Sequence, residues 1–324
     1  MVSSIFAFRR AEHEQGYQGD TFTIMVDNPQ SQNPSIQRIH GVACRPGTTR
    51  EMIEALPGLV AREKDIYVVS YPKAGTTWTQ EIVWQILHDG RIDYRRIDVR
   101  IPWIEGMLFP YKENPYKVST VDMIEKMFES FPSPRVFKSH LRYHLIPKAA
   151  NKTRKPRYIY VIRNPKDTAV SYYHHYHFIP AAKDPSSWET FFDQFINGEV
   201  NSGSWFDHVL SWWEHRDDPN ILFVKYEDMK KDPQAAIDKI ARFIGKEISR
   251  ETLDLIVQQT TVDAMKNEGN ANYKWMSGAK GDFIRKGEIG DWQAMFSEEQ
   301  NKMLENIYKE KLAGTGLEFD FDPK

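Results

Sequence analysis

The sequence of 324 residues predicts an α/β fold: a single domain, 1–324, with a central parallel sheet flanked by helices and a P-loop-like strand-loop-helix for phosphate. Three observations lead there. Four short runs, DIYVVSYP (65–72), PRVFKSH (134–140), RYIYVIRNP (157–165) and NILFVKYED (220–228), are apolar on both faces, as strands of a covered parallel sheet are. All but the second lead quickly into a helical pattern. No internal repeat, low-complexity segment or Gly/Ser linker divides the chain, and 40% hydrophobic with 27% charged residues suits a packed globular protein.

Taken in order, residues 1–60 are rich in turn formers (Gly16, Gly19, Pro29, Pro34, Pro46, Pro57, Gly58) and are expected to form an irregular leader wrapping the fold. After the first strand, Thr76 or Thr77 is placed to cap a helix in which Ile82, Val83, Ile86 and Leu87 recur at helical spacing until Gly90 stops it. Capping boxes announce later helices at Ser186 with Glu189 and at Ser297 with Gln300, and Asp232-Pro233 opens another. Trp212 and Trp213 read as core aromatics.

Composition excludes several classes. A formal net charge of −2 gives no whole-molecule field for nucleic acid, so an anion site has to be built locally. The single cysteine, Cys44, excludes an intrachain disulfide and suits a reducing compartment. No uncharged stretch approaches the length of a membrane span, and a soluble, cytoplasmic protein is expected.

The sheet's carboxyl edge collects the chemistry. Residues 73–78 (KAGTTW) join a strand to a helix start, where unpaired N–H groups and the helix dipole favour an anion, most simply phosphate. An ordinary strand-to-helix turn with an exposed lysine is the alternative. Lys73 precedes Gly75, against the Walker order, and no Asp ends a later apolar strand to hold Mg²⁺, which argues against a nucleoside triphosphatase.

The second strand ends in Lys138, Ser139 and His140, and Lys138 and His140 share a face if the strand runs that far. A histidine there can take a proton from a hydroxyl at neutral pH. The third strand delivers Arg163, and Ser171 falls two turns into the helix begun by Pro165; both can reach one phosphate, unless Arg163 pairs with Asp167. Arg285, Lys286 and Gly287 add a guanidinium fork, a point charge and a bare N–H, or else form a solvated basic turn. The spacing of His174, His175 and His177 lacks the helical i, i+4 pair, so no metal is expected.

Together, YPKAGTTW, KSH, RNPKDTAVSYY, KYED and RKGEIGDW resemble the cytosolic sulfotransferases in order and rough spacing from about Asp65 to Phe319, with a character closest to invertebrate members. The resemblance implies 3'-phosphoadenosine 5'-phosphosulfate (PAPS) as sulfonate donor and 3',5'-ADP (PAP) as product, with no metal. It implies that Lys73, Gly75, Thr76 and Thr77 hold the 5'-phosphate, that Trp78 stacks on adenine, and that Tyr226 and Thr260 contact that base. It assigns Arg163, Ser171, Arg285, Lys286 and Gly287 to the 3'-phosphate, and His140, Lys73 and Lys138 to catalysis. By the same alignment Trp103 and His175 line the acceptor pocket, and with Met107, Phe109 and Tyr173 nearby the expected acceptor is small, apolar and hydroxylated, such as a phenol, steroid or retinoid.

Some positions depart from the family pattern. Ser139 replaces the usual Thr, Val262 stands where an aromatic closes over adenine, and the dimer motif after Trp292 lacks its marked residues, so a monomer or a non-standard dimer is expected. The segments MLFPYKENP (107–115) and NEGNANYKWMSGAKG (267–281) read as flexible lids. A retinol-dehydratase-like elimination through transient sulfonation shares every donor motif. A binding module without catalysis is disfavoured because simple binding has no use for the histidine.

Overall fold

The computed structural model describes residues 37–40, 42–44, 49–108, 116, 120–150, 155–179, 185–267 and 270–321. A hairpin of β1 (Gln37–Ile39) and β2 (Val42–Cys44) comes first, followed by the central strands β3 (Ile66–Ser70), β4 (Val136–Ser139), β5 (Arg157–Ile162) and β6 (Ile221–Lys225). The central sheet has the order β4-β3-β5-β6 and every pair in it is parallel.

Alternation along the strands feeds two cores. Tyr67 and Val69 of β3, with Tyr158, Tyr160 and Ile162 of β5, face one side, where helices Trp188–Ile196 and Trp205–Trp213 cover them. Ile66 and Val68, with Ile159 and Val161, face the other side. There Ile82, Val83 and Ile86 of helix Thr76–Leu87 and Ile237, Ile240 and Ile244 of helix Pro233–Ile244 pack on them. Trp212 is fully buried in the first core, and Trp213 packs at its border.

The chain leaves β3 toward β4 on one side and β5 toward β6 on the other. The carboxyl ends of β3 and β5 therefore flank the point where the strand order reverses, the position at which open α/β sheets bind ligands.

Three local expectations are corrected. Gly75, not Thr76 or Thr77, occupies the N-cap of helix Thr76–Leu87; it is left-handed (φ 107°), and the Thr76 hydroxyl turns instead to Ser70 Oγ, 2.5 Å away. Ser187, not Ser186, caps helix Trp188–Ile196, because that register buries Trp188, Phe191 and Phe192 together. The described residues of 37–58 are not irregular: besides the hairpin strands they form helix Arg50–Ala55, capped by Thr49, with Met52 and Ile53 buried. The expected wrapping by residues 1–36 lies outside the described residues. Ser297 with Gln300 forms its capping box, and Asp232 caps the helix that Pro233 begins.

One buried ion pair fastens the amino ends of the sheet. Arg135, before β4, forks onto the Asp65 carboxylate before β3, with both side chains at most 1% exposed, and donates also to Phe128 O at 2.7 Å. Removing one partner strands the other charge in the core. Asp65→Ala is expected to cost about 3–5 kcal/mol of unfolding free energy, measured by denaturant titration; a loss below about 1 kcal/mol would contradict the pair's importance.

Candidate active site

At the end of β3 the backbone turns through Lys73, itself left-handed (φ 70°), and Gly75 before the helix starts. A Cβ on Gly75 would lie 2.8 Å from Tyr226 Cδ2, so only glycine lets this turn approach that ring. The free N–H groups of the helix's first turn open at the same point.

Lys73 Nζ lies 4.0 Å above the Phe283 ring and 3.5 Å from its carbonyl oxygen. Burial, then the charges of Lys138, Arg163 and Arg285, press its pKa down to about 7. Lys138, in β4, projects its ammonium 4.4 Å over the Trp103 ring and 5.9 Å from the Tyr273 ring. Burial brings it to about 8.

Trp103 reaches this place because Pro102 to Ile104 runs as one further rung beside β4: Lys138 N donates to Pro102 O at 2.8 Å, and Ile104 N to Lys138 O at 3.0 Å. Its ring also meets the His140 ring edge-on at 5.5 Å. Phe283 and Tyr273 pack at 4.3 Å with their rings tilted by 43°, and with Trp103 they cover Lys73, Lys138 and His140 as an aromatic roof. The segment read as a lid is docked over its described part, with Ala271 and Tyr273 buried.

β4 stops at Ser139, so strand pleating does not place His140, contrary to the condition set on its shared face with Lys138. Backbone clamps do. The buried Glu105 carboxylate accepts from His140 N–H and from Ser139 Oγ, and burial raises its pKa. On the other side His208 Nε2 donates to His140 O at 2.9 Å while its Nδ1 accepts from Tyr160 O–H. His140 Nδ1 donates to Ser70 O at 2.8 Å; since a carbonyl can only accept, this fixes the proton on Nδ1 and leaves the Nε2 lone pair basic. Burial and the Lys138 charge hold the His140 pKa well below 6.5, so the ring is neutral at physiological pH.

A second cationic group lies across Tyr226. Arg163 sits 4.4 Å above that ring and donates to Glu288 O at 2.7 Å, while Asp167 stands 3.9 Å away. Gly287 is left-handed (φ 68°); a Cβ there would meet Val262 at 2.4 Å and the Tyr226 hydroxyl at 3.7 Å. Arg285 and Lys286 both pair with Asp291. On helix Pro165–Phe178, Asp167 bonds the loop at Gly290 and Trp292, and the Arg285 charge depresses the pKa of His174 after burial. Ser171 falls between those two at helical spacing, on the same stripe of the helix.

Trp78 meets Tyr226 edge-on at 5.6 Å, and the buried Thr260 donates to Ile256 O at 2.8 Å. His175 joins the roof through Phe283 at 5.4 Å. Tyr173 does not: two residues from His175, it points to the opposite side of the helix and packs on His177, Trp188 and Phe191. Met107 is buried in the core, and Phe109 lies outside the described residues. Among the described residues no group of three or more His, Cys, Asp or Glu could hold a metal ion, and no helix is long and apolar enough to cross a membrane.

Sequence reasoning passed over Glu105, His208 and Phe283. Glu105 lies in the run IPWIEGM (101–107), where an acid amid apolar residues was the available signal.

An edge of this kind, with cations set around a bare-amide turn and a neutral imidazole at hand, belongs to the α/β enzymes that move an anionic group. A sulfotransferase domain model matches residues 63–316. Sulfotransferase 1A1 of Canis lupus familiaris is 36% identical over 303 residues, covering 91% of this chain and 99% of that protein. Among solved structures, retinol dehydratase in complex with retinol and PAP aligns with a TM-score of 0.72 at 29% identity, over 82% of this chain and 86% of its own. Mouse sulfotransferase SULT7A1 complexed with PAP aligns at 0.71 and 31% identity, over 87% and 96%. The chain belongs to the sulfotransferase family and is a sulfotransferase.

Proposed function

We propose that the protein transfers the sulfonate of PAPS to the hydroxyl of a small apolar acceptor such as a phenol, steroid or retinoid-like alcohol, releasing 3',5'-ADP. The observation that carries the proposal is the fixed tautomer of His140, with a basic Nε2 beside Lys138 and under Trp103. His140 Nε2 takes the acceptor's proton as its oxygen bonds to sulfur, and the bond from sulfur to the leaving phosphate oxygen breaks. Lys73 and Lys138 neutralise the negative charge that gathers on that oxygen and on the sulfonyl oxygens. The turn of Lys73, Gly75, Thr76 and Thr77 holds the 5'-phosphate. Arg163, Ser171, Arg285, Lys286 and Gly287 hold the 3'-phosphate, and Trp78, Tyr226 and Thr260 take the adenine. Trp103 and His175 line the acceptor side.

The test is incubation with labelled PAPS and a panel of phenols, steroids, amines and retinoids, with products read by mass spectrometry. No label transferred to any acceptor, under conditions where the protein is folded, would remove the proposal. A second reading rests on the likeness to retinol dehydratase: with retinol, an anhydro product in place of a sulfate ester would assign elimination through transient sulfonation.

The depressed lysines give a pH signature. Below about 7 Lys73 is charged in the free protein; above it the ammonium is progressively lost, and Lys138 follows above about 8. An anion stabilises the charged form, so PAP binding takes up protons. Affinity is expected to fall as pH rises through 7, approaching about tenfold per pH unit for one linked proton. Calorimetry in buffers of different ionisation enthalpy measures the uptake; a flat profile with no proton exchange would contradict it.

A further inference from the structure

We propose that Asp167 is a positioning residue that seats the segment carrying Arg285, Lys286 and Gly287 on the helix that follows Arg163 and carries Ser171, and thereby sets the preference for a nucleotide with a 3'-phosphate. This rests on the function proposed above, in which those five residues receive that phosphate.

The two halves of the group come from chain segments more than a hundred residues apart, and something has to hold them in register. Asp167 is fully buried, in the first turn of helix Pro165–Phe178, where the helix dipole favours its charge. Its Oδ2 accepts from Gly290 N at 2.9 Å and its Oδ1 from Trp292 N at 3.1 Å, so each oxygen takes one amide of the incoming segment. Asn164 Nδ2 donates to Oδ2 as well, at 2.9 Å, and fixes the carboxylate's orientation. Only a group with acceptors at both ends can receive both amides.

Nearby contacts follow the same plan. Arg163 donates to Glu288 O from the same helix start, and the buried Lys166 reaches Glu305 at 2.7 Å while lying 4.2 Å over the Trp292 ring. The left-handed Gly290 (φ 84°) turns the chain so that its N–H faces Asp167. Arg285 and Lys286 pair with Asp291, between the ties at Gly290 and Trp292, and their charges act on His174 of the same helix. Both Asp167 oxygens are engaged by amides of this segment, so it acts through the segment it holds.

The test replaces Asp167 with Asn, which keeps the shape but puts N–H groups against one of the two amides. Calorimetry is run with 3',5'-ADP and with 5'-AMP on the native protein and on Asp167→Asn. The native protein is expected to prefer 3',5'-ADP, and the variant to bind it roughly tenfold or more weakly. The affinity for 5'-AMP is expected to change less than about twofold. Equal loss for both ligands marks a merely structural role, and no loss for either marks no role; each overturns the inference. A native protein that cannot distinguish the two nucleotides overturns the proposed function itself. Should the variant not fold, hydrogen exchange on the native protein decides: the Gly290 and Trp292 amides are expected to be protected before any nucleotide is added, and exchange at the rate of an unstructured chain would end the inference.

Discussion

His140→Ala is expected to lower sulfonate transfer at least about 100-fold while leaving the fold intact. The ring's hydrogen bond to Ser70 O and its contact with Trp103 contribute little to the core, whereas its backbone stays clamped by Glu105 and His208 whatever side chain follows. Loss of the imidazole removes the Nε2 lone pair beside Lys138. The assay is turnover of labelled PAPS by purified variant, with circular dichroism confirming an unchanged fold. Turnover within a fewfold of native would strip His140 of its role as base.

Lys73→Ala is expected to be comparably severe, roughly 100-fold or more in rate. The left-handed backbone at this position strains alanine no more than lysine, since both carry a Cβ, so the change isolates the ammonium. Its second signature is the pH profile: proton uptake on binding PAP, assigned first to the group with a pKa of about 7, should shrink in the variant and leave the component near 8. A variant with native rate, or with the same uptake near 7, would reassign the role.

How much of this was legible in the sequence depends on the range of the interaction. The strands declared themselves because both faces of β3 and β5 are apolar, and the structure buries every residue of β3. KAGTTW, KSH, RNPKD and KYED fell on the carboxyl edge because each ends or directly follows a strand, whereas RKGEIGDW follows none and is brought there by its tertiary contacts. Caps written in a local pair, such as Ser297 with Gln300, were readable; between the adjacent Ser186 and Ser187 the choice was made by the aromatic face of the helix, a tertiary matter. Gly75 displaced the threonines as cap because the close approach of Tyr226, far along the chain, admits no side chain.

The supporting polar residues were hidden for the same reason. Glu105 is 35 residues from His140, His208 is 68 from it, and Asp167 is 123 from Gly290; no window on the sequence joins them. Tyr173 and His175 are two residues apart, and the helix turns them to opposite sides, Tyr173 onto Trp188 and His175 onto Phe283, which no reading of neighbouring positions in the sequence conveys.

The ring of Tyr226 stands between the turn at Gly75, the guanidinium of Arg163 and the bare backbone of Gly287. The spacing between the Gly75 turn and the group of Arg163 and Gly287 is thus gauged by one rigid plate instead of by two loops that move independently. In the proposed function this makes the protein a ruler for its donor: a molecule whose two phosphates sit farther apart or closer together than the width of that plate engages one end and forfeits the other.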